Sequence, residues 1–207
     1  NGSSWVPAGL LVEGAATNEL LQSANLANAA WTNFGSGAAA PVPTANAAVA
    51  PDGTTTAASI AFPAVTVANT YSTTYQGKSA GSSATYTGSI YLRGSVGGET
   101  VWIMSSPDGV AFASTACVLT TSWQRFQVSR SNTSGVTEYF HIGINLRDGA
   151  QSAKGAQTIY AWGGQRELGS SATSYIPTGA SAVTRAAETV QLTGTALAAV
   201  QGVQGEI

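Results

Sequence analysis

The stretch YFHIGINLR, residues 139–147, alternates strictly between apolar and polar side chains. Its even positions, Phe140 to Leu146, are apolar, whereas its odd positions carry Tyr, His, Gly, Asn and Arg. Side chains of a β-strand point alternately to opposite faces, so this pattern indicates a strand with one face in a core. Similar runs, separated by Gly, Pro, Asn and Asp, recur along the chain at the spacing typical of a β-sandwich.

Eight segments carry this pattern clearly enough to be predicted as strands. They are Thr56–Phe62, Asn69–Gln76, Ser83–Arg93, Glu99–Ser106, Val110–Leu119, Trp123–Arg130, Val136–Leu146 and Gln157–Trp162. Helical signals are weak, and the best ones are GAATNELLQSANLANAAW at 14–31 and TGTALAAVQG at 193–202. No internal repeat supports a parallel β-helix. We therefore predict an all-β fold of two antiparallel sheets packed as a jelly-roll β-sandwich, with a short helical or irregular N-terminal segment.

The composition of the chain changes after Tyr175. Large side chains become few, and turn-forming residues no longer recur at a regular spacing. This change predicts three parts. They are an N-terminal arm at 1–16, the β-sandwich at 17–178, and a connector or the start of a following module at 179–207.

Composition excludes several classes of function. Charged residues are 9% of the chain and the net charge is −2, so a basic surface for nucleic acid is not expected. No apolar run approaches the roughly 20 residues that span a bilayer, so membrane insertion is not expected either. One cysteine and one histidine allow neither an internal disulfide nor the usual Cys/His zinc site.

Signals of catalysis are weak. Glycoside hydrolysis needs two carboxylates about 5 to 10 Å apart. The Asp residues of the three Asp-Gly pairs are interpreted as turn formers, which leaves Glu99, Glu138 and Glu167, and their spacing selects no pair. A Ser/His/Asp triad would need His141, and no G-x-S-x-G elbow precedes it. No phosphate-binding or dinucleotide motif is present, so no cofactor is predicted.

The positive signal is a set of aromatic side chains that lie next to planar polar groups on the non-core side of predicted strands. The candidate carbohydrate-binding residues are Tyr91, Arg93, Trp102, Tyr139, His141, Asn145, Arg147 and Gln165. A pyranose ring stacks its C–H face on Trp or Tyr, while its hydroxyls need donors and acceptors such as Asn, Arg and His. The alternative is that these rings are buried in a second sheet or a subunit interface. Trp31, Trp123 and Trp162 are interpreted as core residues.

Several segments together resemble a known family. They are LLVEGAATNELLQSANLANAAWT, APDGTTTAASI, YTGSIYLRG, TTSWQRFQVS and IYAWGGQRELGSSATSYIPTGASAVTRAAETV. They resemble a module widespread in bacteriophage tail, fibre and head-decoration proteins, which is similar to jelly-roll carbohydrate-binding modules that recognise xylan, glucan and related polysaccharides. The match runs from about Gly9 to Glu188. Its most distinctive part is the end motif, Tyr175 to Thr178 followed by Val183 to Ala187.

The resemblance implies a noncatalytic domain that binds a polysaccharide or cell-surface glycan, located on a virion surface or outside the cell. It is compatible with a homotrimer, and it makes 191–207 the beginning of a further module. Relatives often hold a structural calcium between their first and last strands, and Glu13, Glu19 and Glu167 stand in the matching segments here. Two alternatives stay open, a purely structural fibre or spike domain that mediates oligomerisation, and a polysaccharide-degrading enzyme.

Overall fold

A computed structural model describes residues 12–108 and 111–189, and within these ranges the chain forms strands and no helix. The strands are β1 Ala16–Asn18, β2 Thr32–Ser36, β3 Val42–Ala48, β4 Ala57–Phe62, β5 Tyr71–Ser79, β6 Ala84–Gly94, β7 Thr100–Ser106, β8 Ala113–Val118, β9 Gln124–Asn132, β10 Thr137–Asn145, β11 Gln157–Leu168 and β12 Val183–Arg185. The predicted start of a strand at Val110, most of the predicted N-terminal arm, the helical signal at 193–202 and the end of the predicted connector lie outside the described residues.

Two five-stranded antiparallel sheets form the body of the protein. The first sheet has the order β2-β5-β10-β7-β8, and the second has the order β3-β4-β11-β6-β9. The chain passes repeatedly from one sheet to the other, so most sheet neighbours are distant in sequence, as in a jelly roll. The predicted all-β sandwich is confirmed. A third, two-stranded sheet pairs β1 with β12 and so joins the two ends of the described chain.

The core lies between the two large sheets, and strand alternation supplies it as predicted. Phe140, Ile142 and Ile144 of β10 are buried against residues of the second sheet such as Ile90 of β6. Burial of each such side chain stabilises the fold by roughly 1.5 to 3 kcal/mol. Gly88 permits the close approach of the sheets, because a Cβ at this position would lie 2.3 Å from the ring of Phe140.

All eight predicted strands are present with shifted ends, and four strands were missed. The missed strands are β1, β2, β3 and β12, which are short or rich in Ala, Thr, Asn and Gly. Such residues give little apolar contrast between the two faces of a strand. These strands form because longer neighbours, such as β5 for β2, offer them hydrogen-bonding partners.

The segment 14–31 is irregular, not helical, apart from the short strand β1. Asn25 Oδ1 accepts the N–H of Ala27 at 3.2 Å, and Asn28 Oδ1 accepts the N–H of Ala30 at 2.9 Å. These side-chain bonds compete with helical hydrogen bonds and favour successive turns. Trp31 at the end of the segment is buried in the main core, as the sequence indicated.

Candidate functional site

The outer face of the first sheet carries a row of rings contributed by neighbouring strands. Antiparallel register places His141 of β10 opposite Tyr75 of β5, and Asn145 opposite Tyr71. Residues that pair directly across strands point to the same face. The odd positions of YFHIGINLR therefore meet the odd positions of YSTTY, residues 71–75, on the face that is not part of the core.

A cleft of about 260 Å³ opens on this face. It crosses β2, β5 and β10 and reaches into the segments that follow β7 and β10. Its lining residues are Phe34, Tyr71, Thr73, Tyr75, Asp108, Tyr139, His141 and Arg147. The side chain of Phe34 at the edge of the sheet is 47% exposed, whereas the other rings are half-buried or buried.

The rings of the cleft pack against one another. The centroids of Tyr75 and His141 are 4.9 Å apart, and those of Tyr75 and Tyr139 are 5.6 Å apart with the rings nearly perpendicular. Edge-to-face pairs of this kind hold aromatic side chains in defined orientations. The ring of Tyr139 lies over Gly77, where a Cβ would come within 2.7 Å of it. The absence of a side chain at Gly77 thus gives Tyr139 its place in the cleft.

His141 lies in the cleft as a neutral, unsatisfied polar group. The side chain is 7% exposed, and neither Nδ1 nor Nε2 has a hydrogen-bond partner among the described residues. Burial, with a smaller contribution from the positive charge of Arg147, lowers the pKa of His141 to about 4. The imidazole is therefore uncharged near neutral pH, with one nitrogen as donor and the other as acceptor. A buried polar atom left without a partner costs about 1 to 3 kcal/mol, and because both nitrogens are buried, this cost is borne by the folded protein.

Arg147 is held at one end of the cleft. Its guanidinium carbon lies 3.9 Å from the ring centroid of Tyr71, and its Nε donates to Asn145 Oδ1 at 3.0 Å. The same amide oxygen accepts the backbone N–H of Arg147 at 3.2 Å. Asn145, which is fully buried, therefore positions Arg147 and does not itself line the cleft.

Asp108 lies in the segment that follows β7. Its Oδ1 accepts Ser106 Oγ at 3.2 Å and the backbone N–H of Ala111 at 2.9 Å. These bonds shape the segment in the way expected of a turn-forming aspartate. The sequence interpretation of Asp108 as a turn former is thus supported, and the structure adds that it also lines the cleft.

Trp102 lies on the same outer face but is covered. It is 5% exposed, and Lys154 Nζ, from the segment that connects β10 to β11, lies 5.6 Å from its ring centroid. Gln151 of the same segment donates to the sulfur of Met104 at 3.0 Å. The β10–β11 connection therefore closes this part of the face, and Trp102 is not a lining residue of the cleft.

Three of the eight predicted site residues lie on the opposite outer face, so the set does not share one face. Tyr91, Arg93 and Gln165 belong to strands of the second sheet, where Tyr91 pairs with Trp162 and Arg93 with Tyr160. Strand alternation shows which side of a strand avoids the core, but it does not show to which of two sheets the strand belongs.

The polar and aromatic groups of this second face are engaged with one another. The guanidinium of Arg93 lies 4.5 Å from the ring centroid of Tyr160 and 5.2 Å from that of Trp123. Gln165 is fully buried, its Nε2 donates to Glu167 Oε1 at 2.6 Å, and its Oε1 accepts the N–H of Ile176 at 2.7 Å.

The predicted core tryptophans of the second sheet also lie on this face. Trp162 is buried in a small second cluster outside the main core. Trp123 is only half-buried and packs against that cluster, so its assignment to the core was wrong. The Trp123 indole N–H donates to the backbone oxygen of Val49 at 3.0 Å, and this hydrogen bond holds the ring on the outer face of the second sheet.

Sequence reasoning missed five residues of the cleft. They are Phe34, Tyr71, Thr73, Tyr75 and Asp108. The alternation Tyr-Ser-Thr-Thr-Tyr in the predicted strand 69–76 was a usable signal, because it places both rings on one face. Phe34 gave no such signal, since it lies in a short strand with little apolar contrast.

The acidic residues considered for catalysis are committed to contacts within the protein. Glu138 is buried, accepts Ser105 Oγ at 2.6 Å and forms an ion pair with Arg166 at 3.5 Å. Glu167 accepts Gln165 and the N–H and hydroxyl of Thr173. Glu99 accepts Ser95 Oγ and the N–H of Val96, both at 2.8 Å. None of these three carboxylates lines the cleft.

The residues that match the calcium segments of the resembling family do not fit a calcium site. Glu13 pairs with Arg185, and Glu19 pairs with Arg166, so each carboxylate is already neutralised by an arginine. Glu167 is hydrogen-bonded as described above. Across 12–108 and 111–189, no group of three or more His, Cys, Asp and Glu side chains is arranged to hold a metal ion. In the same part of the chain there is also no long apolar helix of the kind that crosses a membrane.

Comparison with known proteins gives similarity in solved structures only. No protein-family model and no curated protein matches the chain. The family 11 carbohydrate-binding module from Clostridium thermocellum, in complex with a mixed-linked tetrasaccharide, is 10% identical with a TM-score of 0.49, over 75% of this chain and 96% of that chain. The CBM22-1 xylan-binding domain from Paenibacillus barcinonensis is 14% identical with a TM-score of 0.45, over 75% and 94%.

A phage protein is also similar. The enzymatically active domain of tailspike protein 4 of bacteriophage CBA120 is 9% identical with a TM-score of 0.49, and the match covers 73% of this chain but 21% of that chain. At such identities and TM-scores the likeness is one of general form. What this protein binds has to be judged from its own cleft.

Proposed function

We propose that the protein is a noncatalytic glycan-binding module and that the cleft on the first sheet is its binding site. The observation that carries this proposal is an open cleft in which the rings of Phe34, Tyr71, Tyr75 and Tyr139 lie beside the guanidinium of Arg147. A sugar presents an apolar C–H face beside hydroxyl groups that both donate and accept. This cleft offers ring surfaces beside tyrosine hydroxyls and a guanidinium.

The shape of the site also supports a polymeric ligand. The cleft crosses three strands of an open sheet face and is not an enclosed cavity. Exposed Phe34 at the edge of the sheet extends the ring surface beyond His141. A chain of sugar units can therefore lie across the strands and continue past the edge.

The proposal includes a location and an assembly. We place the module on the surface of a virion or outside the cell, because of the resemblance of its end motif to phage tail and fibre modules. A single shallow site binds weakly, since each hydrogen bond to a hydroxyl replaces one to water. Display as a homotrimer would raise the apparent affinity through avidity. Light scattering on the purified chain tests the trimer, and a monomer mass would refute it.

The test of binding compares two tyrosines on opposite faces. Calorimetric titration with soluble xylan, mixed-linked β-glucan, polygalacturonate and hyaluronate is done for the wild type, Tyr75→Ala and the matched control Tyr160→Ala. We expect Tyr75→Ala to weaken binding at least tenfold, about 1.4 kcal/mol, because it removes a stacking ring. Tyr160→Ala should bind like the wild type. Equal binding by Tyr75→Ala and the wild type would remove the cleft as the site.

Two further readouts separate the alternatives. A reducing-end assay on the same polysaccharides detects hydrolysis, and new reducing ends that rise with time would refute a noncatalytic role. The purely structural alternative predicts no binding to any glycan, together with a stable oligomer in which the cleft rings are protected from solvent. That combination would refute the binding proposal.

A further inference from the structure

The cleft is lined by one cationic side chain, Arg147, together with Asp108, and the sugar that it recognises has to be compatible with the arginine. Among the described residues, the only hydrogen-bond acceptor of the Arg147 guanidinium is Asn145 Oδ1, which takes Nε–H. None of the four ion pairs of the described residues includes Arg147. Neither of its terminal nitrogens is among the buried polar atoms that lack a partner, so both are accessible to a ligand.

The orientation of this guanidinium is set before any ligand arrives. Tyr71 lies under it at 3.9 Å, Phe112 lies 5.8 Å away, and the Asn145 amide holds its Nε. An arginine fixed in this way loses little rotamer freedom when it binds. Its planar fork matches the two oxygens of a carboxylate, with two parallel hydrogen bonds.

The two charged lining residues of the cleft follow the ends of two neighbouring strands of the first sheet. Ser106, at the end of β7, pairs with Tyr139, and Asp108 follows it two residues later. Arg147 follows the other end of β10, where Asn145 pairs with Tyr71. The segment after β7 turns back over the sheet, because Ala111 donates its N–H to Asp108 and the ring of Phe112, the next residue, lies 5.8 Å from the Arg147 guanidinium.

We propose that the cleft selects a carboxylate-bearing sugar, such as a uronic acid unit, whose carboxylate forms a bidentate pair with Arg147 while its ring lies against Tyr75 and His141. This inference rests on the proposed glycan-binding function and specifies its ligand class. The proximity of Arg147 to His141, which contributes to the low pKa of the imidazole, supplies an independent readout. A bound carboxylate would offset the arginine charge and raise the pKa of His141.

The test uses pairs of polymers that differ in charge alone. Polygalacturonate and hyaluronate are each titrated beside their carboxyl-reduced forms against the wild type, Arg147→Gln, Arg147→Lys and the control Arg93→Gln. We expect the wild type to bind at least one acidic polymer tenfold or more tighter than its reduced form, and Arg93→Gln to keep this preference. Arg147→Gln should lose the preference, and Arg147→Lys should keep only part of it.

Proton NMR of the single histidine gives the second measurement. The pKa of His141 should be higher on saturation with an acidic oligosaccharide of the preferred polymer than on saturation with its reduced form. Equal affinity for both forms, or a preference that survives in Arg147→Gln, would overturn the inference. If neutral polymers bind and Tyr75→Ala abolishes that binding, the glycan-binding proposal stands without the acidic ligand. If no polymer of either kind binds, both proposals fall.

Discussion

The two outer faces of the sandwich carry similar side chains in different states. On the first face, Tyr75 and Tyr139 pack against a buried histidine whose nitrogens have no partner among the described residues, and the cleft beside them is open to solvent. On the second face, Arg93 covers the rings of Tyr160 and Trp123, and the amide of Gln165 is fully hydrogen-bonded. The pairing of aromatic and planar polar residues is thus common to both faces.

What distinguishes the two faces is that rings of the first face line an open cleft, whereas rings of the second face pack against arginines and against one another. Stacking on an arginine does not separate the faces, because Arg147 lies over Tyr71 on the first face as Arg93 lies over Tyr160 on the second. A ring that lines an open cleft, as Tyr75 and Tyr139 do, keeps its capacity to bind. Residue type alone therefore does not identify a binding face, and the four predictions below separate folding from binding.

The largest effect is expected from Trp162→Ala on the second face. The indole N–H donates to Thr56 Oγ1 at 3.0 Å, and the ring centroid lies 4.5 Å from that of Tyr175. Removal of this buried side chain should lower the free energy of unfolding by about 3 to 5 kcal/mol. Urea denaturation measures the loss, and glycan titration of the folded fraction should match the wild type. A folded variant that has lost its affinity would contradict the division between the faces.

The second effect is a pH dependence of stability that comes from His141. The unfolded side chain titrates near 6.5 and the folded one at about 4, so between these values the unfolded state binds more protons. Stability therefore falls as the pH drops through this window, by about 2 kcal/mol at pH 5 and about 3 kcal/mol at pH 4. Urea denaturation of the wild type and His141→Gln at pH 7, 6 and 5 isolates this contribution, since the carboxylates are common to both. Parallel curves would show that His141 is not buried as described.

A smaller effect is expected from Gly77→Ala, which alters the cleft without substituting any of its lining residues. The new Cβ would meet the ring of Tyr139 at 2.7 Å and displace it, because a ring can move where backbone cannot. We expect glycan binding to weaken about threefold to tenfold, roughly 0.7 to 1.4 kcal/mol. The matched control is Gly81→Ala, whose Cβ would lie 3.9 Å from its nearest neighbour, the hydroxyl of Tyr86. Equal affinities in the two variants would show that Tyr139 takes no part in binding.

The smallest effect is expected from Arg93→Gln. Loss of the two cation–π contacts with Tyr160 and Trp123 should lower the free energy of unfolding by about 0.5 to 1 kcal/mol, because the guanidinium is only partly buried. Glycan affinity should stay within twofold of the wild type. A loss of binding comparable to that of Tyr75→Ala would make the second face the binding face and would reverse the comparison.

Much of the fold could be predicted from the sequence because alternation is a local property. Phe140, Ile142 and Ile144 are recognisable as one buried row from nine residues of sequence, and the structure buries all three. The short strand β2 was not predictable in this way. Its residues Thr32–Ser36 form a strand only because β5 lies beside them, some 40 residues later in the chain.

The candidate site was predictable only in part. Alternation indicated that Tyr139 and His141 face away from the core, and these two residues do line the cleft with Arg147. It also gave the same indication for Trp102, which the β10–β11 connection covers, and for Tyr91 and Arg93, which belong to the other sheet. A binding role for the predicted residues stays a prediction until the titrations above are made.

The sequence by itself determined which side of each long strand is apolar, because successive side chains of a strand point to opposite faces. Strands with one apolar face bury it by packing two sheets together, so the sequence also determined the two-sheet architecture. Tertiary structure alone decided that Tyr75 lies opposite His141, that Phe34 joins them at the edge of the sheet, and that Trp102 is covered. These outcomes depend on strand order and register, which arise from the packing and hydrogen bonding of segments far apart in the chain.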